Sequence, residues 1–146
     1  MPTKTTTSIK KPAGFSDAEK AAARERVKEL KRSGDQEAEA REVVQKISEM
    51  PEPDRSLGER VHALVTGVAP ELAPKTYYGM PAYAKDGKVI CFFKPKSKFK
   101  VRYASFEFNA DAKLDDGAMW PISFALTEIT PQTEARIKEL VKKAIS

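Results

Sequence analysis

The segment that decides the fold reads YYGMPAYAKDGKVICFF and covers residues 77–93. Apolar and aromatic residues recur in it with a period of two, which is the period of a β-strand. The dipeptide Asp86-Gly87 favours a type I′ turn, so we predict a hairpin between strands at 82–85 and 88–93. Residues 75–78 are predicted as a strand that breaks at Gly79-Met80-Pro81 and continues as the same strand through 82–85.

Two amphipathic helices are predicted before this hairpin. Residues 35–50 and 54–68 both carry apolar side chains at i, i+3, i+4 and i+7 spacing, so both should pack on one core. Asp54 is predicted to be the N-cap of the second of them. After the hairpin, Thr130 and Pro131 have the residue types that begin a helix, which we predict to run to the end of the chain.

Two further strands are predicted between the hairpin and that last helix. One covers residues 99–108, with a β-bulge at Ala104-Ser105 where the alternation slips. The other covers residues 122–126, with alternate side chains buried. Helices, a meander of antiparallel strands and a final helix predict an α+β two-layer sandwich, with N-terminal and C-terminal helices packed on an antiparallel sheet.

The N-terminal part of the chain differs in composition from the rest. Residues 1–34 contain nine Lys and Arg against four Asp and Glu, whereas residues 35–146 contain seventeen of each. Residues 1–14 are predicted to be a disordered tail, residues 15–34 a loosely attached basic helix, and residues 35–146 a single domain. Ser16 and Glu19 form a capping-box pattern at the start of that helix, whose thin apolar stripe is mainly Val27 and Leu30.

The sequence offers few residues for catalysis. It contains one cysteine and one histidine, and it lacks the glycine-rich and nucleophile motifs of common enzyme classes. Cys91 lies within a predicted strand between apolar neighbours, and His62 has no predicted nucleophile to act on. We therefore predict a protein that is not an enzyme. With no secretory signal and no long apolar run, we expect it in the cytoplasm and not in a membrane.

A basic segment, residues 94–102, places a cation at every second position. As a strand it would carry five positive charges on one face and its aromatic side chains on the other. Two interpretations remain open: a surface that binds anions or nucleic acid, or a charged edge that prevents aggregation. The five residues are Lys94, Lys96, Lys98, Lys100 and Arg102.

Two groups of carboxylates are candidates for a weak site for a hard cation. Glu37, Glu39 and Glu42 lie on the helix at 35–50, with Arg41 between them. Asp115 and Asp116 lie in the loop before Gly117, in a spacing that does not match an EF-hand.

The second face of the sheet is a candidate interaction surface. The strand at 88–93 is apolar on both sides, with Val89, Cys91 and Phe93 predicted on one face and Ile90 and Phe92 on the other. If helices cover only one face, the other needs a loop, a ligand or a second copy of the chain. A groove formed by Tyr78, the Gly79-Met80-Pro81 break and Trp120 is one form that such a surface would take, and a homodimer is another.

The quoted segment, together with KFKVRYASFEF, LDDGAMWPISFAL and a closing basic helix, resembles the YdhG-like family of bacterial proteins of unknown function. The resemblance covers roughly residues 36–145. It is strongest at the Tyr78-Gly79-Met80-Pro81 turn and at the Asp-Asp-Gly segment that leads to Trp120. The family includes a frataxin-like intracellular iron chaperone, so the resemblance implies a frataxin-like sandwich of helices on an antiparallel sheet.

What the resemblance implies about function is a frataxin-type iron chaperone, holding weakly bound iron on exposed carboxylates and delivering it to iron–sulfur assembly proteins. The nearest matching positions are Glu37, Glu39 and Glu42, with Asp115 and Asp116 as further candidates. The alternatives are an anion- or nucleic-acid-binding module that uses the basic tail and the basic segment, or a protein-interaction domain.

Overall fold

The computed structural model describes residues 14–31 and 34–146. The predicted tail, residues 1–14, lies outside the described residues except for Gly14. The described residues form an α+β fold of five helices and five strands, as predicted. In chain order these are α1 (Asp17–Lys31), α2 (Gln36–Ser48), α3 (Asp54–Val68), β1 (Ala73–Tyr77), β2 (Met80–Lys85), β3 (Lys88–Lys94), α4 (Lys96–Phe99), β4 (Ala104–Phe108), β5 (Ser123–Leu126) and α5 (Pro131–Ile145).

The sheet is a meander in which each strand pairs antiparallel with its neighbour in the sequence. The predicted turn between β2 and β3 is confirmed, since Asp86 and Gly87 both have positive φ, at 51° and 80°. A two-residue type I′ turn requires that conformation at both positions. The predicted bulge is misplaced: the register shift lies in the β2–β3 pair, opposite Tyr83 and Ala84.

This irregularity changes which side chains of β3 share a face. Ile90 and Cys91 both lie in the main core with Phe93, while Val89 and Phe92 belong to a second cluster. Two predictions are therefore wrong: that Ile90 faces away from Cys91, and that Val89 shares a face with Cys91. The irregular step in β3 shifts the alternation by one residue, so two consecutive side chains point to the helices.

The main core lies between the sheet and three helices. It contains Val43 and Ile47 from α2, Val61 and Val65 from α3, and Ile137 and Val141 from α5, packed against side chains of β2, β3, β4 and β5. Their spacing of four residues places each pair on one side of its helix, as the sequence predicts. The helices therefore form one layer and the sheet the other.

The opposite face of the sheet has a smaller apolar cluster of its own. Met80, Ala82, Ala84, Val89 and Phe92 are buried there, with Tyr77 and Phe99 packed against them. Part of the second face is therefore covered by side chains of the chain itself, and the proposed homodimer through this face stays a prediction.

The caps of the first and last helices agree with the sequence patterns. Ser16 Oγ accepts a hydrogen bond from the N–H of Glu19 at 3.1 Å, and Glu19 Oε1 accepts one from the N–H of Ser16 at 2.9 Å. Thr130 Oγ1 accepts the N–H of Thr133 at 3.1 Å. Both helices therefore begin at the positions that their capping residues specify.

Three predicted features of the elements are wrong. The strand predicted at 99–108 begins only at Ala104, and β5 begins at Ser123, with Ile122 exposed. Asp54 does not cap α3; its N-cap is Pro53, without a side-chain hydrogen bond. The thin stripe predicted on α1 is largely exposed, since Val27 is 52% exposed and Leu30 is 57% exposed.

Candidate functional site

The turn that joins β1 to β2 lies at Tyr78 and Gly79. Both residues have positive φ, at 54° and 79°, and Tyr77 pairs with Met80 across the turn. This is a second two-residue hairpin, so the prediction of Gly79-Met80-Pro81 as a break within one strand is wrong. Met80 and Pro81 are the first residues of β2 and are buried. Glycine suits the second turn position, whereas a tyrosine with positive φ at the first is uncommon.

Helix α1 binds this turn through a carboxylate. Glu29 is only 4% exposed, and its Oε1 and Oε2 accept the N–H groups of Tyr78 and Gly79, each at 2.9 Å. Neither N–H is used by the strand ladder, because both belong to the turn residues. One buried carboxylate therefore satisfies two adjacent backbone donors about fifty positions away in the sequence.

A second carboxylate of α1 lies between two lysines beside the same turn. Glu25 Oε2 is 3.1 Å from Lys46 Nζ on α2, and Glu25 Oε1 is 2.6 Å from Lys98 Nζ on α4. Burial by itself would raise the pKa of Glu25, but hydrogen bonds from Lys98 and Lys46 outweigh it and leave this pKa below its ordinary value. Glu25 therefore carries its charge in the folded protein at neutral pH.

The aromatic side chains of the turn are held by an arginine of the same helix. The Arg26 guanidinium lies 5.0 Å from the ring centre of Tyr77 and 5.9 Å from that of Tyr78. Arg26 Nη1 is also 3.4 Å from Glu29 Oε1. Helix α1 therefore contacts the domain on three consecutive helical turns. The contacting residues are Ala22 on the first, Glu25 and Arg26 on the second, and Glu29 on the third. The predicted loose attachment of this helix stays a prediction.

The basic segment is not a strand. Pro95 follows β3 directly, residues Lys96–Phe99 form the short helix α4, and Lys100 has a left-handed φ of 53°. The prediction of five cations on one face of a strand is therefore wrong, because this backbone does not alternate. Proline removes the N–H that a strand continuing from β3 would need for its ladder.

The carboxylate of Asp54 fixes the start of α4. Asp54 is fully buried, and it accepts the N–H of Lys96 at 3.1 Å, the N–H of Ser97 at 2.9 Å and the hydroxyl of Ser97 at 2.6 Å. An aspartate that follows Pro53 at the start of α3 thus caps a different helix. These bonds hold the basic segment in a helical turn where its alternating sequence predicts a strand.

This conformation brings cations and aromatic rings of the basic segment together. The Arg102 guanidinium is 4.8 Å from the ring centre of Tyr103, and Lys94 Nζ is 5.2 Å from that of Phe99. Lys94, Arg102 and Tyr103 line one depression of about 340 Å³, together with Val101, Ser105, Glu107, Ser123 and Ala125. The expectation that aromatic side chains lie opposite the cations is therefore wrong for Arg102 and Tyr103.

The five cations are divided between different contacts. Lys98 is paired with Glu25 beside the β1–β2 turn, while Lys94 and Arg102 line the depression. Lys100 is exposed and Lys96 is half-buried at the start of α4.

The predicted metal-binding carboxylates do not gather into one site. Glu39 Oε2 is 3.7 Å from Lys75 Nζ, Glu42 accepts a hydrogen bond from the Thr76 hydroxyl at 3.2 Å, and Glu37 is exposed. Asp115 and Asp116 are exposed in the loop before β5. Within the described residues no three side chains of His, Cys, Asp or Glu are grouped closely enough to hold a metal ion.

The remaining groove candidate, Trp120, is separate from the β1–β2 turn. It is half-buried against the main core and lines a depression with Asp116, Pro121 and Leu140. The groove predicted from Tyr78, Gly79, Met80, Pro81 and Trp120 is therefore two different places on the molecule.

The cysteine and the histidine both have structural contacts. Burial raises the pKa of the Cys91 thiol far above its ordinary value. His62 Nδ1 lies 2.9 Å from the Tyr83 hydroxyl, and burial lowers the pKa of this histidine. The pKa of Tyr83 is raised, by burial first and then by the neighbouring Cys91. All three therefore favour their neutral forms at pH 7.

Sequence analysis missed the residues that organise this region. Glu25 and Glu29 are four apart on α1 and therefore share one side of it, which is a detectable pattern. That pattern does not indicate which part of the chain they bind. The role of Asp54 has no local signal at all, because its partners lie more than forty positions later.

A scan against models of protein families, a search of curated proteins and a search of solved structures find no match to this chain. The resemblance to the YdhG-like family therefore stays a prediction. No helix in residues 14–31 and 34–146 combines the length and the apolar character needed to cross a membrane.

Proposed function

We propose that this protein is a non-enzymatic binding protein whose ligand is single-stranded nucleic acid, bound at the depression of the basic segment. The observation that supports this function best is the placement of Arg102 and Tyr103 side by side, with Lys94 on the same depression. Proteins that bind single strands combine cations that contact the backbone with rings on which bases stack. Tyr103 is 39% exposed, so part of its ring is available for stacking.

The proposal that the protein is not an enzyme is supported by its candidate nucleophile and base. Cys91 is buried with a raised pKa, and the ring of His62 is in contact with Tyr83. A thiol in this environment is protonated and shielded from substrate.

The test measures the binding of a fluorescent oligothymidylate by anisotropy at several salt concentrations. We expect Tyr103→Ala to weaken binding by about 1–3 kcal/mol, through the loss of one stacking position. Arg102→Ala should weaken binding and reduce the slope of log affinity against log salt by about 0.7, the value for one phosphate contact. Arg136→Ala is a matched control, because Arg136 lies 5.8 Å from the ring centre of Phe124 and does not line this depression.

Binding that is equally affected by the control variant, or that does not respond to salt, contradicts the proposal. An anaerobic titration with ferrous iron distinguishes nucleic-acid binding from the alternative that the family resemblance implies, an iron chaperone. Iron binding that is lost in a Glu37→Gln/Glu39→Gln/Glu42→Gln variant, in a protein that does not bind oligothymidylate, would support an iron carrier instead.

A further inference from the structure

We propose that the β1–β2 turn and the ammonium groups of Lys46 and Lys98 form a binding site for a small, multiply charged oxyanion. In this structure α1 occupies that site with Glu25 and Glu29. The ligand should carry a phosphate or carboxylate group, since the site already binds two carboxylates of the chain itself. Its cavity includes Pro95, Ser97 and Lys98 of the basic segment but none of the residues that line the depression proposed for nucleic acid, so the site does not depend on nucleic-acid binding there.

The backbone supplies the first half of the site. The N–H groups of Tyr78 and Gly79 are adjacent and converge on the two oxygens of one carboxylate. Successive N–H groups in a turn form a concavity that binds anions. A phosphate or carboxylate of a ligand has the same paired oxygens, so it can replace Glu29 without any change in the turn.

The two lysines supply the second half. Lys46 comes from α2 and Lys98 from α4, and both ammonium groups contact the Glu25 carboxylate. Gly79 allows this carboxylate to lie directly against the turn: a Cβ at position 79 would be 2.8 Å from Glu25 Cδ and closer still to one of its oxygens. The lysines and the turn therefore face the same small volume.

Space for the rest of a ligand adjoins these groups. A cavity of about 240 Å³ is lined by Lys46, Gly79 and Lys98, together with Met50, Pro51, Pro95, Ser97 and Glu49. A ligand whose oxyanion lies at the turn can extend into this cavity.

Helix α1 is attached by contacts that a ligand could replace, so its two carboxylates could be displaced from the site. Its only buried apolar residue is Ala22, and Val27 and Leu30 are each more than half exposed. No residue of α1 belongs to the main core or to the second apolar cluster. Its attachment therefore depends on charged contacts, for which an added anion competes directly.

The test is a titration of the full chain with inorganic pyrophosphate, followed through the backbone amide resonances of Tyr78 and Gly79. In Glu25→Ala/Glu29→Ala we expect these two amides to shift and saturate. The wild type should need at least about tenfold more pyrophosphate, because its own carboxylates compete for the site. Glu37→Ala/Glu59→Ala is the matched control, since it removes the same charge from two exposed positions on α2 and α3.

Adding Lys98→Ala to the Glu25→Ala/Glu29→Ala chain should weaken pyrophosphate binding at least about fivefold. This is the expected loss of one ammonium contact. Unchanged chemical shifts of the β4 amides in every variant establish that the domain is folded. If the alanine substitutions perturb α1 itself, the Glu25→Gln/Glu29→Gln variant repeats the test with side chains of nearly the original size. The proposal is overturned if pyrophosphate leaves the Tyr78 and Gly79 amide resonances unshifted in both Glu25/Glu29 variants. It is also overturned if the Glu37→Ala/Glu59→Ala control binds pyrophosphate as tightly as Glu25→Ala/Glu29→Ala does.

Discussion

A single side chain, Asp54, fixes the conformation of the basic segment. Its buried carboxylate holds two backbone N–H groups and one hydroxyl of a segment more than forty positions away. An acidic residue after a proline indicates a helix start, so the sequence predicts α3 correctly. It does not predict the cap of α4, because that contact depends on tertiary structure alone.

We expect Asp54→Ala to lower the free energy of unfolding by about 3 kcal/mol, since buried donors lose a charged acceptor. Urea denaturation measures this change. Asp54→Asn, which keeps one acceptor oxygen of similar size, should lie between the alanine variant and the wild type. A loss below about 1 kcal/mol for the alanine variant would show that water replaces the carboxylate at little cost.

At the scale of an element, α1 shows how a helix with almost no apolar face binds a domain. The amphipathic pattern that predicts α2, α3 and α5 correctly is nearly absent from α1. Its contacts are instead ion pairs and backbone hydrogen bonds to α2, α4 and the β1–β2 turn. Periodicity predicts burial of apolar stripes, so it contains no information on this kind of contact.

The lowered pKa of Glu25 predicts how pH changes this attachment. Because the carboxyl has a lower pKa folded than unfolded, the stability that it contributes is complete above its ordinary value of 4.5. That contribution is lost as the pH falls below 4.5 and through the folded pKa. We expect wild type and Glu25→Gln to differ in free energy of unfolding at pH 7 and to converge in acid.

Chemical denaturation at a series of pH values measures this difference, with Glu37→Gln as the control for an exposed glutamate on α2. A difference that stays constant from pH 7 to well below 4.5 would mean that Glu25 does not contribute through its charge.

For the whole molecule, the sequence is sufficient for the α+β class and for most of the core. Residues of α2, α3 and α5 recur at helical spacing, and Asp86-Gly87 specifies its own turn, so these features depend on local chemistry. The candidate sites depend on which distant surfaces meet. Glu39, for example, has Arg41 close by on its own helix, but it pairs with Lys75 of β1, which the sequence alone does not indicate.

We expect the chain without residues 1–33 to remain folded with one cooperative unfolding transition. The main core contains no residue of α1, and removing that helix exposes mainly polar contacts of the β1–β2 turn. Hydrogen exchange measures this outcome: amides of β3 and β4 should remain the most protected. A truncated chain that unfolds without cooperativity would show that α1 is part of the folding unit.

The meander order of the sheet also bears on the folding pathway. Two of its four strand pairs are closed by two-residue turns, so forming them orders few residues and costs little loop entropy. Such local pairings favour rapid folding. The contact between α3 and α5, marked by the pair of Arg60 with Glu134, instead joins positions 74 apart. We therefore expect the β1–β2–β3 hairpins to nucleate the fold and the α3–α5 docking to complete it.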